Sequence, residues 1–364
     1  MNTTLIINLW PSSQTMGHSR AIKSFVEQEL GEHASVYDSA NFGHMLSDET
    51  ANILISLIRL SEPNYVLLIG STSSIKLDAE SFDRVNGELV GRTVLYWEPD
   101  GWGRGKPVTE TMKKWFYRAD VLLHAGGVKG LSSYVSPTTL VGLAPHTYCH
   151  LLFAQEEMHP PERETQSKSV MIANNVTRSK IPIPGVTGLS GSYSRWDLAR
   201  RAKKSLGREE FQLYGSGWPQ NWSTGMVPFG DQVSSIRESR ISIIWDHYLN
   251  LPEYVSDRFV YALLAGRVHL MAQGSRLSWP PYSELAVLSG RSPSEMISIM
   301  NEFLSNTDQK IYDMGIRNWE WVRHRLSARQ FAQYALAQIR TDVNVPNINP
   351  WKELIIGIQG EPNA

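Results

Sequence analysis

The sequence predicts an α/β protein built of two Rossmann-like, doubly wound domains facing across a cleft. Three observations carry this. Short apolar runs end in glycine or polar loops and alternate with helix-patterned segments, the rhythm of a parallel sheet wrapped by helices. A polar, proline-bearing stretch interrupts that rhythm near mid-chain, and the rhythm then resumes. The length of 364 residues, with 41% hydrophobic and 20% charged content, suffices for two buried cores and argues against disorder.

The elements follow in order. Leu5-Ile-Ile-Asn-Leu9 has the length and branching of a buried parallel strand and runs into Trp10-Pro11-Ser12-Ser13. A loop holding Gly17 and His18 leads to a helix over 19–30, and Val36-Tyr37-Asp38 reads as a second strand. Ser47 is the expected N-cap of a helix over 47–60. Three unbroken apolar strands come next: 65–69 ending at Gly70-Ser71-Thr72, 93–97 ending at Glu98-Pro99-Asp100-Gly101, and 121–124 ending at Ala125-Gly126-Gly127. Ligands of doubly wound sheets collect at such carboxyl ends.

Residues 158–185 read as a linker and extended excursion, from the Pro160-Pro161 stretch to Ile181-Pro-Ile-Pro-Gly185. That places a first domain at 1–157, a second domain at 186–340 and a tail at 341–364. In the second domain regular structure resumes over 186–190, before a helix over 196–206 and a strand over 211–214 ending in Gly215-Ser216-Gly217. Helix 233–239, strand 241–244, helix 255–265 closed by Gly266, strand 268–271 and helical segments over 293–304 and 308–339 complete it.

Composition narrows the function classes. The net charge of −1 gives no global field toward nucleic acid or an acidic membrane. A local basic cluster does stand against that background: Arg195, Arg200, Arg201, Lys203, Lys204 and Arg208, read either as a solvated helix face or as a nucleic-acid footprint. The single cysteine, Cys149, rules out an intrachain disulfide and sits in an apolar run as core filler. The start, Met-Asn-Thr-Thr and then Leu5 to Leu9, lacks a signal-peptide pattern, and no stretch reaches the roughly 20 apolar residues of a membrane span, so a cytoplasmic protein is expected. Twelve tryptophans favour clefts with one wet side, where sugars and bases stack. There is no Asp-x-Asp motif, zinc-spaced Cys/His cluster, Walker loop or Gly-x-Ser-x-Gly elbow, and Gly101-Trp-Gly-Arg-Gly105 lacks the dinucleotide spacing. The expected site holds no metal and no resident cofactor.

The chemistry concentrates in Tyr254 to Met271. Ser256 or Asp257 can cap a helix whose free N–H groups favour a phosphate. Arg258 in its first turn supplies a planar fork for phosphate oxygens, and Tyr261 lies one turn on along the same face. A capped core helix carrying a surface arginine is the other reading of the same spacing.

Arg258-Phe-Val-Tyr-Ala-Leu-Leu-Ala-Gly266 resembles the Arg-x-x-Glu-Ala-x-Ala-x-Gly signature of GT-B glycosyltransferases. In that family the arginine binds the donor diphosphate and the glutamate holds the ribose. Gly188-Leu-Ser-Gly-Ser-Tyr-Ser-Arg195 is similar to the family's glycine-rich phosphate loop, which implies donor roles for Gly191, Ser192 and Arg195. Phe211-Gln-Leu-Tyr-Gly-Ser-Gly217 looks like the strand and loop beside the base, implying Gly215 and Ser216. The match covers 186–340, and 1–150 only by rhythm. It departs at Tyr261, which stands where the glutamate should be; a phenol cannot grip two hydroxyls as a carboxylate does, and Glu253 or Asp257 would have to substitute.

The spacing is also similar to that of bacteriophage DNA glucosyltransferases, with an aromatic strand ending in an aspartate base; here that strand is Tyr96-Trp97-Glu98-Pro99-Asp100. The resemblance implies a hexosyl transfer from a nucleotide-diphosphate donor, UDP-linked, to a hydroxyl of a hydroxymethylated pyrimidine in DNA or of a cell-surface glycan. A base must take the acceptor's proton, and Asp100 is the first candidate, with Glu98 and His18 behind it. A non-catalytic nucleotide-sugar binder of the same fold is the competing reading, with an epimerase third. The donor sugar, stereochemistry and oligomeric state are not set by these residues.

Overall fold

The computed structural model describes residues 2–9, 13–39, 42–70, 72, 75–98, 108–124, 146–149, 160–174, 192–219, 221–246, 256–273, 285–325 and 328–340. Among them, eleven strands form two separate, wholly parallel sheets. The chain divides into two units, the first comprising Met1–Gln155, Pro252–Tyr254 and Ala328–Asn349, the second Glu156–Leu251, Val255–Ser327 and Pro350–Ala364.

The first sheet joins β1 (Thr3–Asn8), β2 (His33–Asp38), β3 (Tyr65–Ile69), β4 (Thr93–Glu98), β5 (Val121–His124) and β6 (His146–Cys149) in the order β2-β1-β3-β4-β5-β6. Its central strands are apolar on both faces because helices cover both. On one face Leu5, Ile7, Val66, Leu68, Val94 and Tyr96 share a cluster with α2 (Ser47–Ser61), α3 (Ala79–Glu88) and α4 (Glu110–Arg118). The alternate residues Ile6, Leu67, Leu95 and Trp97, also buried, point the other way. There α1 (Ser13–Gln28) packs on β1. Asp78 and Thr109 cap α3 and α4, accepting from the amides of Ser81 at 2.8 Å and Met112 at 3.2 Å. Ser47 is not the cap expected of it. The N-cap is Leu46, and the Ser47 hydroxyl accepts from the Asp78 amide at 2.8 Å, tying α2 to the start of α3.

The second sheet joins β7 (Ser167–Ile172), β8 (Phe211–Tyr214), β9 (Ser239–Ile244), β10 (Val268–Ala272) and β11 (Val287–Gly290) in the order β11-β10-β9-β7-β8. Counted from β7, this repeats the order of the first five strands of the other sheet. One face carries α5 (Ser192–Leu206) and α8 (Pro293–Leu304), the other α6 (Gln232–Arg237), α7 (Asp257–Leu264) and α9 (Asp308–Arg325). In each sheet the strand order reverses beside the first strand, between β1 and β3 and between β7 and β9, which leaves a crevice at the carboxyl ends there.

Two expected boundaries are corrected. The stretch 158–185 is not a linker, because it contains β7, a strand paired on both sides. Its opening Ser-Lys-Ser looks polar, yet Ser167 and Ser239 bury their hydroxyls against each other at 2.6 Å, and Val170, Met171 and Ile172 are core. The regular structure expected to resume over 186–190 lies outside the described residues. The second domain also does not run to 340, because α10 (Ala328–Ile339) belongs to the first unit, packing on α1 and β4. Arg329 Nε reaches Glu29 at 2.9 Å and Arg340 Nη2 reaches Glu32 at 2.8 Å, with Arg340 also over the Tyr65 ring.

Candidate functional site

The crevice of the second sheet gathers the residues that carry chemistry. β7 leaves the sheet through Ala173 and Asn174, and β9 through Trp245 and Asp246. Arg195 on α5 spans both exits: Nε donates to the Trp245 carbonyl at 2.8 Å and Nη1 to the Asn174 carbonyl at 3.2 Å. Only 5% exposed, it holds the two strand ends in register and brings a positive charge under the crevice. Arg258 on α7 comes to the same place, its Nε donating to the Ile172 carbonyl at 2.7 Å. Two guanidinium groups from different helices therefore meet at the carboxyl end of β7, Arg258 on its last residue and Arg195 two residues beyond it.

Arg258 is aimed by its helix. Ser256 caps α7 and accepts from the Arg258 amide at 3.4 Å, so of the two expected caps the serine takes the role. Phe259, Val260, Ala262 and Leu263 are buried, which fixes the helix on the sheet and leaves its amino end at the crevice. Tyr261, one turn after Arg258, is 5% exposed. His269 on β10 lies edge-on to Phe259 with ring centroids 5.8 Å apart, and neither ring nitrogen has a hydrogen-bond partner among the described residues. Burial pushes that imidazole down to about 3 and keeps it neutral.

The loop after β8 is stitched to the same strand end. Gly215 has φ +126°, and a Cβ there would lie 2.1 Å from the Ala173 carbonyl oxygen, so both conformation and space require glycine. The Ser216 amide donates to Asn174 Oδ1 at 2.9 Å, and Trp218 Nε1 donates to the Ala173 carbonyl at 2.7 Å. Asn174 is thus a hub that the sequence reading missed, its carbonyl taking Arg195 and its side chain taking Ser216. Its signal was present, an asparagine at the end of an apolar run, but the serines ahead of that run disguised the strand.

Of the remaining expected residues, Ser192 is the first residue of α5 and Asp257 the first of α7. Gly191, Glu253, Ser71 and Asp100 lie outside the described residues. His18 is not in a loop: α1 begins at Ser13 and includes it. Glu98 is the last residue of β4 and fully buried. Its Oε2 accepts from the Tyr96 hydroxyl at 2.6 Å, and that hydroxyl also meets the Thr72 amide at 3.0 Å and hydroxyl at 2.9 Å. Burial and the Glu98 charge raise the phenol well above its usual range, so Tyr96 stays a donor to the carboxylate.

The basic cluster separates into unlike parts. Arg195 is inside, as described, while Arg200 and Arg201 share Asp197, each at 2.7 Å. Burial acts to raise that carboxyl, but the bonds from Arg201 and Arg200 outweigh it and hold it below its ordinary value. Trp196 and Trp222 stack at 5.5 Å, with Arg200 over the first ring and Lys203 over the second. Lys204 and Arg208 are exposed. Among the described residues, no helix is long and apolar enough to cross a membrane.

Two parallel sheets of matching strand order, with the polar groups at a strand-order reversal, define an α/β fold of the GT-B glycosyltransferase kind. No protein-family profile matches the sequence, and no curated protein matches it. Solved structures do match. HepE from Anabaena in complex with UDP and glucose is 9% identical, with a TM-score of 0.60 over 94% of this chain and 100% of that one. An α-glucosyltransferase in complex with UDP is 9% identical, with a TM-score of 0.61 over 93% of this chain and 99% of the other. The DNA-modifying β-glucosyltransferase, studied with and without uridine diphosphoglucose, is 10% identical, with a TM-score of 0.53 over 93% and 99%. These similarities establish the fold.

Proposed function

We propose that the chain is a glycosyltransferase that moves a hexose from a UDP-linked donor to an acceptor hydroxyl without a metal ion. The observation that carries the reading is the meeting of Arg195, Arg258, Asn174 and the Gly215–Ser216 loop at the end of β7. A diphosphate at that crevice would find two guanidinium groups and the amino end of α7, the elements that stabilise charge developing on a leaving phosphate. That solved structures of the same fold are complexed with UDP supports the nucleotide.

In this reading Arg258 and Arg195 hold the diphosphate, Gly191 and Ser192 approach it from the start of α5, and Gly215 and Ser216 flank the base. Tyr261 stands one turn from Arg258, toward the ribose. Asp100 is the base that takes the acceptor proton. Glu98, tied to Tyr96, sets the end of the strand that leads to it; His18 is the alternative base. Of the two acceptor classes, a hydroxymethylated pyrimidine in DNA is favoured over a surface glycan by the stacked Trp196–Trp222 pair with Arg200 and Lys203 alongside.

The test incubates the protein with UDP-glucose and hydroxymethylated duplex DNA, with EDTA present and absent, and follows sugar incorporation and UDP release. Transfer unaffected by EDTA and weakened steeply by salt is the expected result. Saturable UDP-glucose binding with no turnover would replace the enzyme with a non-catalytic binder. A diphosphate bound away from Arg258 would overturn the site.

A further inference from the structure

The opposite end of the second sheet holds a second concentration of charge. Arg240 is the second residue of β9, Arg267 immediately precedes β10, and Arg163 and Thr165 come just before β7. All three strands are parallel, so these residues meet at the amino ends, away from the crevice where Arg195 and Arg258 converge. With Asp308 and Tyr312 of α9 they line a cavity of about 480 Å³, within the size range of small-molecule sites. Glu164 and Ile311 complete the wall.

The charges there are not balanced. Arg267 is 3% exposed, and its donors go to the carbonyls of Glu162, Arg237 and Gly266, never to a carboxylate. Burial, with the neighbouring Arg237 charge, lowers that guanidinium to about 10, and the opposing charges of Tyr312 and Glu162 do not make up the difference. Arg163 is exposed and makes no ion pair among the described residues. Arg240 is paired with Asp308 at 2.9 Å. A buried cation without a carboxylate is stabilised by any anion that enters.

We propose that this cavity is a binding site for a small phosphomonoester, distinct from the donor crevice. The phosphate would lie between Arg163 and Arg240, where two planar forks suit its oxygens, with the buried Arg267 charge behind them. The organic part would lie along Ile311 and the Tyr312 ring, in the manner of a sugar. Asp308 competes with the ligand for Arg240.

Isothermal titration of the full chain with glucose 6-phosphate, and with glucose as control, tests this. Saturable binding of the phosphate alone is expected. Charge reversal in Arg163→Glu should weaken it about tenfold or more, since an attractive charge becomes a repulsive one at contact distance. Asp308→Asn, which releases Arg240, should tighten it roughly threefold. Arg258→Ala should leave it unchanged, so failure here is distinguishable from failure of the donor reading. Arg267 is left intact because its removal would disturb the three carbonyls it holds; matching thermal midpoints establish that the variants fold. No binding up to about 10 mM, the weakest affinity worth assigning to a built site, overturns the proposal. So does binding indifferent to both Arg163→Glu and Asp308→Asn, or binding lost in Arg258→Ala.

Discussion

At Arg258, spacing and capping were legible, because an arginine two residues after a serine cap can only lie in the first turn of its helix. What it touches was not, since the Ile172 carbonyl comes from 86 residues away along the chain. Arg258→Ala removes a charged donor set from the crevice and should weaken UDP binding by roughly 1.5 to 3 kcal/mol, more than tenfold, in a calorimetric titration. The cap and core of α7 remain, so the unfolding midpoint should fall only modestly, by the loss of the bond to the Ile172 carbonyl. His269 gives the second prediction at this scale. Folded, its imidazole titrates near 3, whereas unfolded it titrates near its ordinary 6.5. The unfolded chain therefore takes up a proton that the folded one refuses. Stability is complete above about 6.5 and falls as pH drops toward 3, by about 1.4 kcal/mol per pH unit once below 6.5. Urea unfolding at pH 7 and pH 5 should show this loss in the wild type and a smaller one in His269→Phe; equal losses would acquit the histidine.

Strands with unbroken apolar runs were legible nearly to the residue, as β3 and β5 show. Those that open with polar residues were not: β9 begins at Ser239, and β7 escaped because two buried serines and a lysine precede Val170. A serine whose hydroxyl is satisfied by another serine across the sheet is as acceptable in a core as an alanine, and only the partner strand reveals it. The helix start at Ser13 was hidden in the same way, by Gly17 and the absence of an acidic first turn. The loop after β8 provides a prediction for an element. Gly215→Ala would place a methyl group 2.1 Å from the Ala173 carbonyl at a φ that alanine avoids. The loop must shift, breaking the Ser216 and Trp218 contacts, with a stability loss of roughly 1 to 3 kcal/mol. Chemical denaturation should register that loss, and UDP affinity should fall with it. A variant with wild-type stability and affinity would mean that this loop tolerates displacement without consequence for the crevice.

On the scale of the whole chain, the alternation of strand and helix announced two doubly wound sheets, but not that the first unit needs the end of the chain. α10 has an apolar face like any terminal helix, and nothing local says which sheet it will cover. Its Ala332, Tyr334, Ala335 and Leu336 are buried, and Arg340, 4% exposed, is held by Glu32. A chain ending at residue 327 should lose amide-exchange protection in α1 and β2 while β7, β9 and β10 keep theirs; uniform protection would show that α10 is an accessory. The same feature bears on how the protein is made. A domain whose sequence is contiguous can close while the ribosome is still working on the next. Here the strands of the first sheet are synthesised first, yet its covering helix emerges only after the last strand of the second unit. The second unit's strands are all translated in the interval. The first unit therefore waits, with the side of α1 that α10 packs on uncovered, until that helix has been translated. During that wait an exposed apolar helix face is the natural target of a chaperone. Translational pausing anywhere between β6 and α10 should lengthen the vulnerable period, because the covering helix is still to come.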